Sequence, residues 1–318
     1  MKRNLTVFLF FIFLSTLASG QITIIGKVLN KTTHIPIPYA NIGIEYIDVG
    51  TISNMDGSFS ILIPNPLSRD ALIFSSPGYE QQELAVKDLE PGRGLTIYLD
   101  DKTIMQWPVI LTASDNKHKD FEIGNFEHTV SIYEPDTVYT GRAIALLIDK
   151  KNFPKGAGFP VYVKKAALYI QSNNFESFKF RVRINKYDSL TGEPGEDLLE
   201  QSIIVESNID NGWLDFDLSK AYFSANGPFF ITFEQLLDLS SRTVIAMGYR
   251  EIHRHPTGTH IGFSNSMSGI NKYSCFNRQT SMGEWRKLPY AITATVTVNA
   301  PVGQTPEKPK EAVVLEMR

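Results

Sequence analysis

Along most of this chain apolar and polar residues alternate in short runs, and Gly, Pro, Asn and Asp separate the runs. That is the period of half-buried β-strands. Residues 50–61 are the clearest case. Asp56-Gly57 reads as a tight turn, because Gly accepts a positive φ at no steric cost. Phe59 and Ile61 alternate with Ser58 and Ser60. The stretch predicts two strands joined as a hairpin, with Phe59 in a core and Asp56 capping its own turn. Residues 22–29, 39–46, 71–74, 84–86 and 95–99 read as further strands, punctuated by Pro36, Pro38, Pro64, Pro66 and Pro77-Gly78-Tyr79. No helical period occurs in this region, so a small β-sandwich over residues 21–100 is expected.

The second half repeats the pattern at larger scale. Phe178, Phe180, Val182 and Ile184 alternate with Lys179, Arg181 and Arg183. Asn211-Gly212 is a hairpin-type turn. After it, Leu214, Phe216 and Leu218 face one way, and Asp215 and Asp217 the other. Residues 166–171, 202–206, 229–233, 244–249, 274–277 and 291–298 complete about eight strands, the content of a jelly roll or related sandwich over residues 126–300. Residues 139–148 fit either a strand or a short helix. Residues 101–125 read as a linker. Residues 301–318, with three prolines and several charges, read as a disordered tail.

Composition narrows the function classes. The 318 residues carry a formal charge of −3, so the basic footprint of a nucleic-acid binder is missing. With one cysteine, Cys275, no intrachain disulfide forms, and Cys275 reads as a small buried apolar residue. Residues 1–20 have the form of a signal peptide. Lys2 and Arg3 precede an apolar run at 7–14, and Ala18-Ser19-Gly20 sets cleavage before Gln21. The run is shorter than the roughly 20 residues that span a bilayer, and no later segment is apolar enough to do so. The expected protein is exported to the periplasm, the outer-membrane surface or the exterior, with no integral span.

The order Gly26-Lys27-Val28, Pro36-Ile37-Pro38-Tyr39-Ala40-Asn41-Ile42, Gly50-Thr51, Asp56-Gly57-Ser58-Phe59, Ser76-Pro77-Gly78-Tyr79 resembles the carboxypeptidase-regulatory-like domain. It is most similar to the version at the front of exported envelope proteins of Bacteroidetes-type bacteria. Ser53-Asn54-Met55 departs from the family pattern. The resemblance implies a seven-stranded transthyretin-like sandwich and no catalysis, since the module is an accessory in the enzymes that carry it. Residues 108–113 resemble the segment that follows this module in TonB-dependent receptors, but about 200 residues remain, too few for a plug and large barrel. The run from Phe180 through Gly212-Trp213 and Gly227-Pro228-Phe229 to Gly283-Glu284-Trp285 is loosely similar to carbohydrate-binding-like jelly-roll modules. The fold class expected is all-β: a transthyretin-like sandwich followed by a jelly-roll-like one.

Candidate chemistry is sparse. His253, His255 and His260 fall within eight residues and carry the ligand type of a zinc site. Pro256 and Gly258 make the segment a loop, and it lacks the H-E-x-x-H pattern. Gly262-Phe263-Ser264-Asn265-Ser266 ends in Ser where a nucleophile elbow needs Gly. Asp215 with Asp217 is a candidate carboxylate pair. Asn54 with Asp56 falls short of the six or more oxygens of a calcium site, and Glu193 with Glu196-Asp197, in the long loop, is a second calcium candidate. Trp285, Trp213, Tyr249 and Tyr273 are candidates for a sugar-stacking platform, because their rings pair a flat apolar face with a polar handle. Trp285 is the leading member, since Gly283, Arg286 and Lys287 place it in a loop. These residues point to an exported binding or adhesion protein with no cofactor, its partner a polysaccharide or an envelope protein. The alternatives are a secreted metal-dependent hydrolase built on the histidine loop and an accessory subunit of an outer-membrane transporter.

Overall fold

The structure is a computed structural model that describes residues 20–102, 118–132, 140–173, 175–237 and 259–302. Seven strands build the first module: β1 (Ile22–Asn30), β2 (Asn41–Ile44), β3 (Val49–Ile52), β4 (Ser58–Ile63), β5 (Ala71–Ser75), β6 (Gln82–Ala85) and β7 (Leu95–Leu99). They form a sheet in the order β4-β1-β7 and another in the order β3-β2-β5-β6. Ile24, Val28, Phe59 and Ile61 from the first sheet meet Ile42, Leu72 and Phe74 from the second in one core.

The turn at Asp56-Gly57 is present, but it does not make a hairpin. Strand β3 pairs with β2, and β4 pairs with β1. The segment is an arch that carries the chain from one sheet to the other. Ser53 explains the change of partner. Its fully buried hydroxyl donates to Ile37 O at 2.7 Å and accepts from Ala40 N at 2.8 Å, which ends β3 on the 36–40 segment. Gly57 O then accepts from Val28 N at 2.9 Å and starts β4 against β1.

The second module contains β8 (His118–Asn125), β9 (Val130–Ile132), β10 (Ala143–Ile148), β11 (Val161–Asn173), β12 (Phe178–Tyr187), β13 (Pro194–Asp197), β14 (Ile203–Ser207) and β15 (Gly212–Asp217). It continues with β16 (Ser224–Ala225), β17 (Phe229–Leu236), β18 (Thr259–Ser264), β19 (Cys275–Arg278), β20 (Arg286–Lys287), β21 (Ala291–Ile292) and β22 (Ala294–Pro301). One sheet runs β13-β12-β17-β10-β19-β20, with β14 also on β12. The other runs β21-β18-β11-β22-β8, with β15 and β16 on β11 and β9 on β18. Phe180, Val182, Ile231 and Phe233 of the first sheet pack against Ala166, Leu168, Phe216 and Val296 of the second. The whole described chain is thus all-β, apart from short 3₁₀ turns and one helix, Met267–Lys272.

Some elements differ from expectation. Residues 118–125, read as linker, form β8, paired along its whole length with β22. The ambiguous 139–148 stretch contains β10, a strand buried throughout between β17 and β19. The signal-like residues 1–19, the strand expected at 244–249 and most of the tail lie outside the described residues. Among the described residues no helix is long and apolar enough to cross a membrane.

The β3-β2-β5-β6 sheet docks on the outer face of the β12-β17-β10-β19 sheet. Gly43 and Gly50 are cross-strand partners that flatten the docking surface. A Cβ on Gly50 would lie 2.9 Å from Ser281 Oγ, and one on Gly43 2.9 Å from Met282 Cβ. Ser281 Oγ, fully buried, lies 3.0 Å from Ile42 O and 2.9 Å from Thr51 O. Tyr39 and Ile52 pack on Leu236 in a small apolar cluster between the modules. At the Pro77-Gly78-Tyr79 turn Gly78 has φ +83°, and an added Cβ would sit 2.3 Å from Glu200 O. We expect Gly78→Ala to lower the unfolding free energy by roughly 1–3 kcal/mol, from strain plus backbone clash. Limited proteolysis of that variant should free the two modules from each other; an unchanged melting curve and digestion pattern would contradict this docking.

Candidate functional site

Two features of the second module present chemistry to solvent: a cleft against the first module and a strip of aromatic rings on the opposite sheet. The cleft begins with the alternation of β12. Its apolar residues face the sandwich core. Its other face, which alternation alone would leave to water, is covered by the first module. Arg181 is fully buried there, and Arg183 and Asn185 are 9% and 5% exposed.

Strand register then lines up a row of charge across the sheet. Arg181 is the cross-strand partner of Glu234, Glu234 of Ala143, and Ala143 of Arg278. The small Ala143 side chain leaves Glu234 and Arg278 facing each other at 4.0 Å. Arg181 reaches Glu234 Oε2 with Nη2 at 2.7 Å and Nε at 3.0 Å. It also donates to Tyr39 O and Asn41 Oδ1 of the first module, both at 2.8 Å. Arg183 binds Asp197 Oδ2 at 2.8 Å and Glu234 Oε2 at 3.4 Å. Burial pushes the Glu234 carboxyl up, but Arg181, Arg183 and Arg278 outweigh it and hold it below the ordinary carboxylate range.

The open part of this region is a cleft of about 920 Å³. Arg183, Asn185, Arg278 and Trp285 of the second module line it, facing Tyr46 and the Pro77-Gly78-Tyr79 turn of the first. The Arg278 guanidinium lies over the Trp285 ring at 4.9 Å. Trp285, half-buried, packs against the cluster of Phe230 and Phe276.

The ring strip follows from β11 and β15. Tyr169 and Trp213 are cross-strand partners on the outward face. Their centroids are 5.3 Å apart, Phe126 stands 6.2 Å from Trp213, and His128 stacks on Tyr169 at 4.1 Å. Phe126 is 50% exposed and Trp213 38%. Gly262 on the neighbouring strand makes room, since a Cβ there would lie 2.9 Å from the Tyr169 ring and 3.2 Å from His128 Cβ. Polar groups edge the strip. Asn211 Oδ1 accepts from Tyr169 Oη at 2.9 Å, and Asp215 pairs with Lys165 at 2.9 Å.

The four-ring platform expected from the sequence is therefore not assembled. Trp213 and Trp285 sit on the outer faces of opposite sheets. Tyr273 is 7% exposed and belongs to the sandwich core. Tyr249 lies outside the described residues, as do His253 and His255. His260 is half-buried on β18, and burial lowers its pKa. Among the described residues no three His, Cys, Asp or Glu side chains are grouped to hold a metal. Ser264 is fully buried and donates to Glu127 at 2.9 Å, while Ser266 caps the Met267–Lys272 helix through Gly269 N. Asp217 accepts from Ser219 N at 2.9 Å as turn chemistry. Cys275 is 1% exposed, its thiol pushed up to about 12 by burial.

Sequence reasoning missed Tyr169, Phe126 and His128 as companions of Trp213, and missed the arginine row. The first group comes from three separated segments. The second had a signal, three basic residues alternating with core residues on one strand, that reads equally as a solvated face.

Residues 24–110 match the CarboxypepD_reg-like domain family, as the motif order implied. No curated protein matches the chain. Among solved structures it is similar to the cysteine protease and lectin-like domains of Cwp84, a surface layer associated protein of Clostridium difficile, at 10% identity and a TM-score of 0.32 over 87% of this chain and 62% of that one. It is also similar to the T13 IBDV viral particle, at 10% identity and a TM-score of 0.26 over 90% of this chain and 63% of that one. The chain thus spans less than two thirds of either structure, and at these scores neither likeness bears on function.

Glu234→Gln would leave three guanidinium groups facing Asp197 alone, and we expect it to cost roughly 3–5 kcal/mol of stability at pH 7. The folded Glu234 pKa is depressed, so its stabilisation is present above the unfolded carboxylate value of about 4.3 and is lost as pH falls through the folded value. Denaturant melts of wild type should therefore weaken in acid more steeply than those of the variant. Parallel pH profiles would refute this role.

Proposed function

We propose that this chain is a non-enzymatic, exported binding protein that holds carbohydrate at the cell envelope through the aromatic strip of its second module. The observation that carries the reading is the group of Phe126, Trp213, Tyr169 and His128, two rings on an outward sheet face and two from the loop beside it. Strand register fixes Tyr169 and Trp213, and Phe126 and His128 pack against them from the loop after β8, so the rings are pre-ordered and stacking a sugar costs little side-chain entropy. Asn211, Lys165 and Asp215 beside them supply the hydrogen-bonding groups that orient hydroxyls. Export rests on the signal-like residues 1–20, and the envelope on the kind of protein in which the first module's motifs occur.

Affinity electrophoresis of the full chain through gels containing plant, fungal and bacterial polysaccharides tests the proposal. At least one polymer should retard wild type. Trp213→Ala should weaken that binding about tenfold, the scale of one lost stacking contact, with an unchanged melting temperature. Failure to bind any polymer, or retention of binding in a Phe126→Ala/Trp213→Ala double variant, would overturn it.

A further inference from the structure

Among the described residues the buried charge between the modules does not balance: Arg181, Arg183 and Arg278 face Glu234 and Asp197, which leaves one positive charge in excess. Arg181 is consumed by the docking contacts. Arg278 is different: its side chain is 11% exposed, its nearest carboxylate oxygen is 4.0 Å away, and its Nε makes no hydrogen bond among the described residues. Asn185 Oδ1, on the same floor, also lacks a partner among the described residues. Unmet hydrogen-bonding groups of this kind are costly unless water or a ligand satisfies them, and in a cleft they are where a ligand's polar atoms gain most. Burial and the like charge of Arg183 bring the Arg278 pKa down to about 10, which marks a cation short of counter-charge.

The mouth of the cleft has the opposite sign. Glu45, Glu193 and Asp188 all act on Tyr46, where Glu45 first, then burial, then the other two carboxylates raise the phenol pKa. Glu196, also on the wall, is held by Lys102 at 3.2 Å. A polyanion would be repelled at such a mouth. A molecule with one carboxylate to place inside and an ammonium group to leave outside fits both ends.

We propose that the inter-module cleft binds a compact zwitterion, a short peptide, with its carboxylate on Arg278 and its ammonium group toward Glu45, Asp188 and Glu193. Arg278 presents the planar donor edge that suits carboxylate, and Trp285, under the guanidinium, keeps that edge in place. The cleft is large enough for several residues. This site is separate from the aromatic strip, so either can fail without the other.

Calorimetry on the full chain with tri-alanine, tri-alanine amide, N-acetyl-tri-alanine and glucuronate tests it. Tri-alanine should bind, and the amide and the acetylated peptide should each bind about tenfold more weakly, the scale of one lost charge-assisted contact. Arg278→Gln should erase the difference between acid and amide. Should that variant lose its fold, Asn185→Asp, which adds a carboxylate to the floor, is expected to remove tri-alanine binding. Equal binding of acid and amide, no binding of tri-alanine at about 10 mM, glucuronate binding in its place, or full binding by folded Asn185→Asp would each overturn the proposal.

Discussion

A guanidinium buried between two sandwiches must find acceptors for its donors, and Arg181 finds them in both modules. Glu234 comes from its own sheet, and Tyr39 O and Asn41 Oδ1 come from the other module. Removing such a charge from water costs several kcal/mol, which attraction offsets only with good geometry and full hydrogen bonding. The contact therefore acts mainly on orientation. The modules cannot slide without stripping Arg181 of Tyr39 O and Asn41 Oδ1, two of its buried acceptors. The neighbouring geometry serves that demand. Tyr39 takes a positive φ of 55°, its N–H held by Ser53 O at 3.1 Å, and this turns its carbonyl toward the arginine. Gly43 and Gly50 let the backbones close to the distance at which the contact forms.

This docking converts a sheet surface into the floor of a cleft. Arg183, Asn185, Arg278 and Trp285 would otherwise lie on an open face. The first module contributes few groups to the chemistry. Its Pro77-Gly78-Tyr79 turn and Tyr46 form a wall, and Glu45 adds charge at the mouth. The first module thus excludes water and raises the strength of electrostatic interactions beneath it. The aromatic strip, on the opposite sheet, needs no such cover, because stacking uses ring faces that remain partly exposed.

Local alternation reveals that a strand has two faces, and it identified most of the apolar faces correctly. It made the chain all-β, put Phe59, Leu214 and Phe216 in cores, and turned Asp215 and Asp217 outward. The first module was legible in more detail. Its turns at Asp56-Gly57 and Pro77-Gly78-Tyr79 need particular backbone conformations, and few residues supply them. These are short-range demands, and a sequence states them directly.

Other properties depended on neighbours far along the chain. The stretch around Asp56 could pair on itself or cross between sheets, and Ser53 bonding to Ile37 and Ala40 decided for the arch. The basic side of β12 could face water or a partner, and the docked module decided for burial. Tyr39 could fill its own module's core or reach a neighbour, and the docked module decided for packing across the interface on Leu236. Trp213 and Trp285 read alike as candidate stacking residues, yet the two-sheet topology sends them to opposite surfaces. The sequence by itself determined the strands, their core faces and the first module's turns, because these follow from contacts a few residues apart. Tertiary structure alone decided which polar face was covered, which rings met and where the excess charge lay, because each depends on groups brought together from distant segments, up to 239 residues apart.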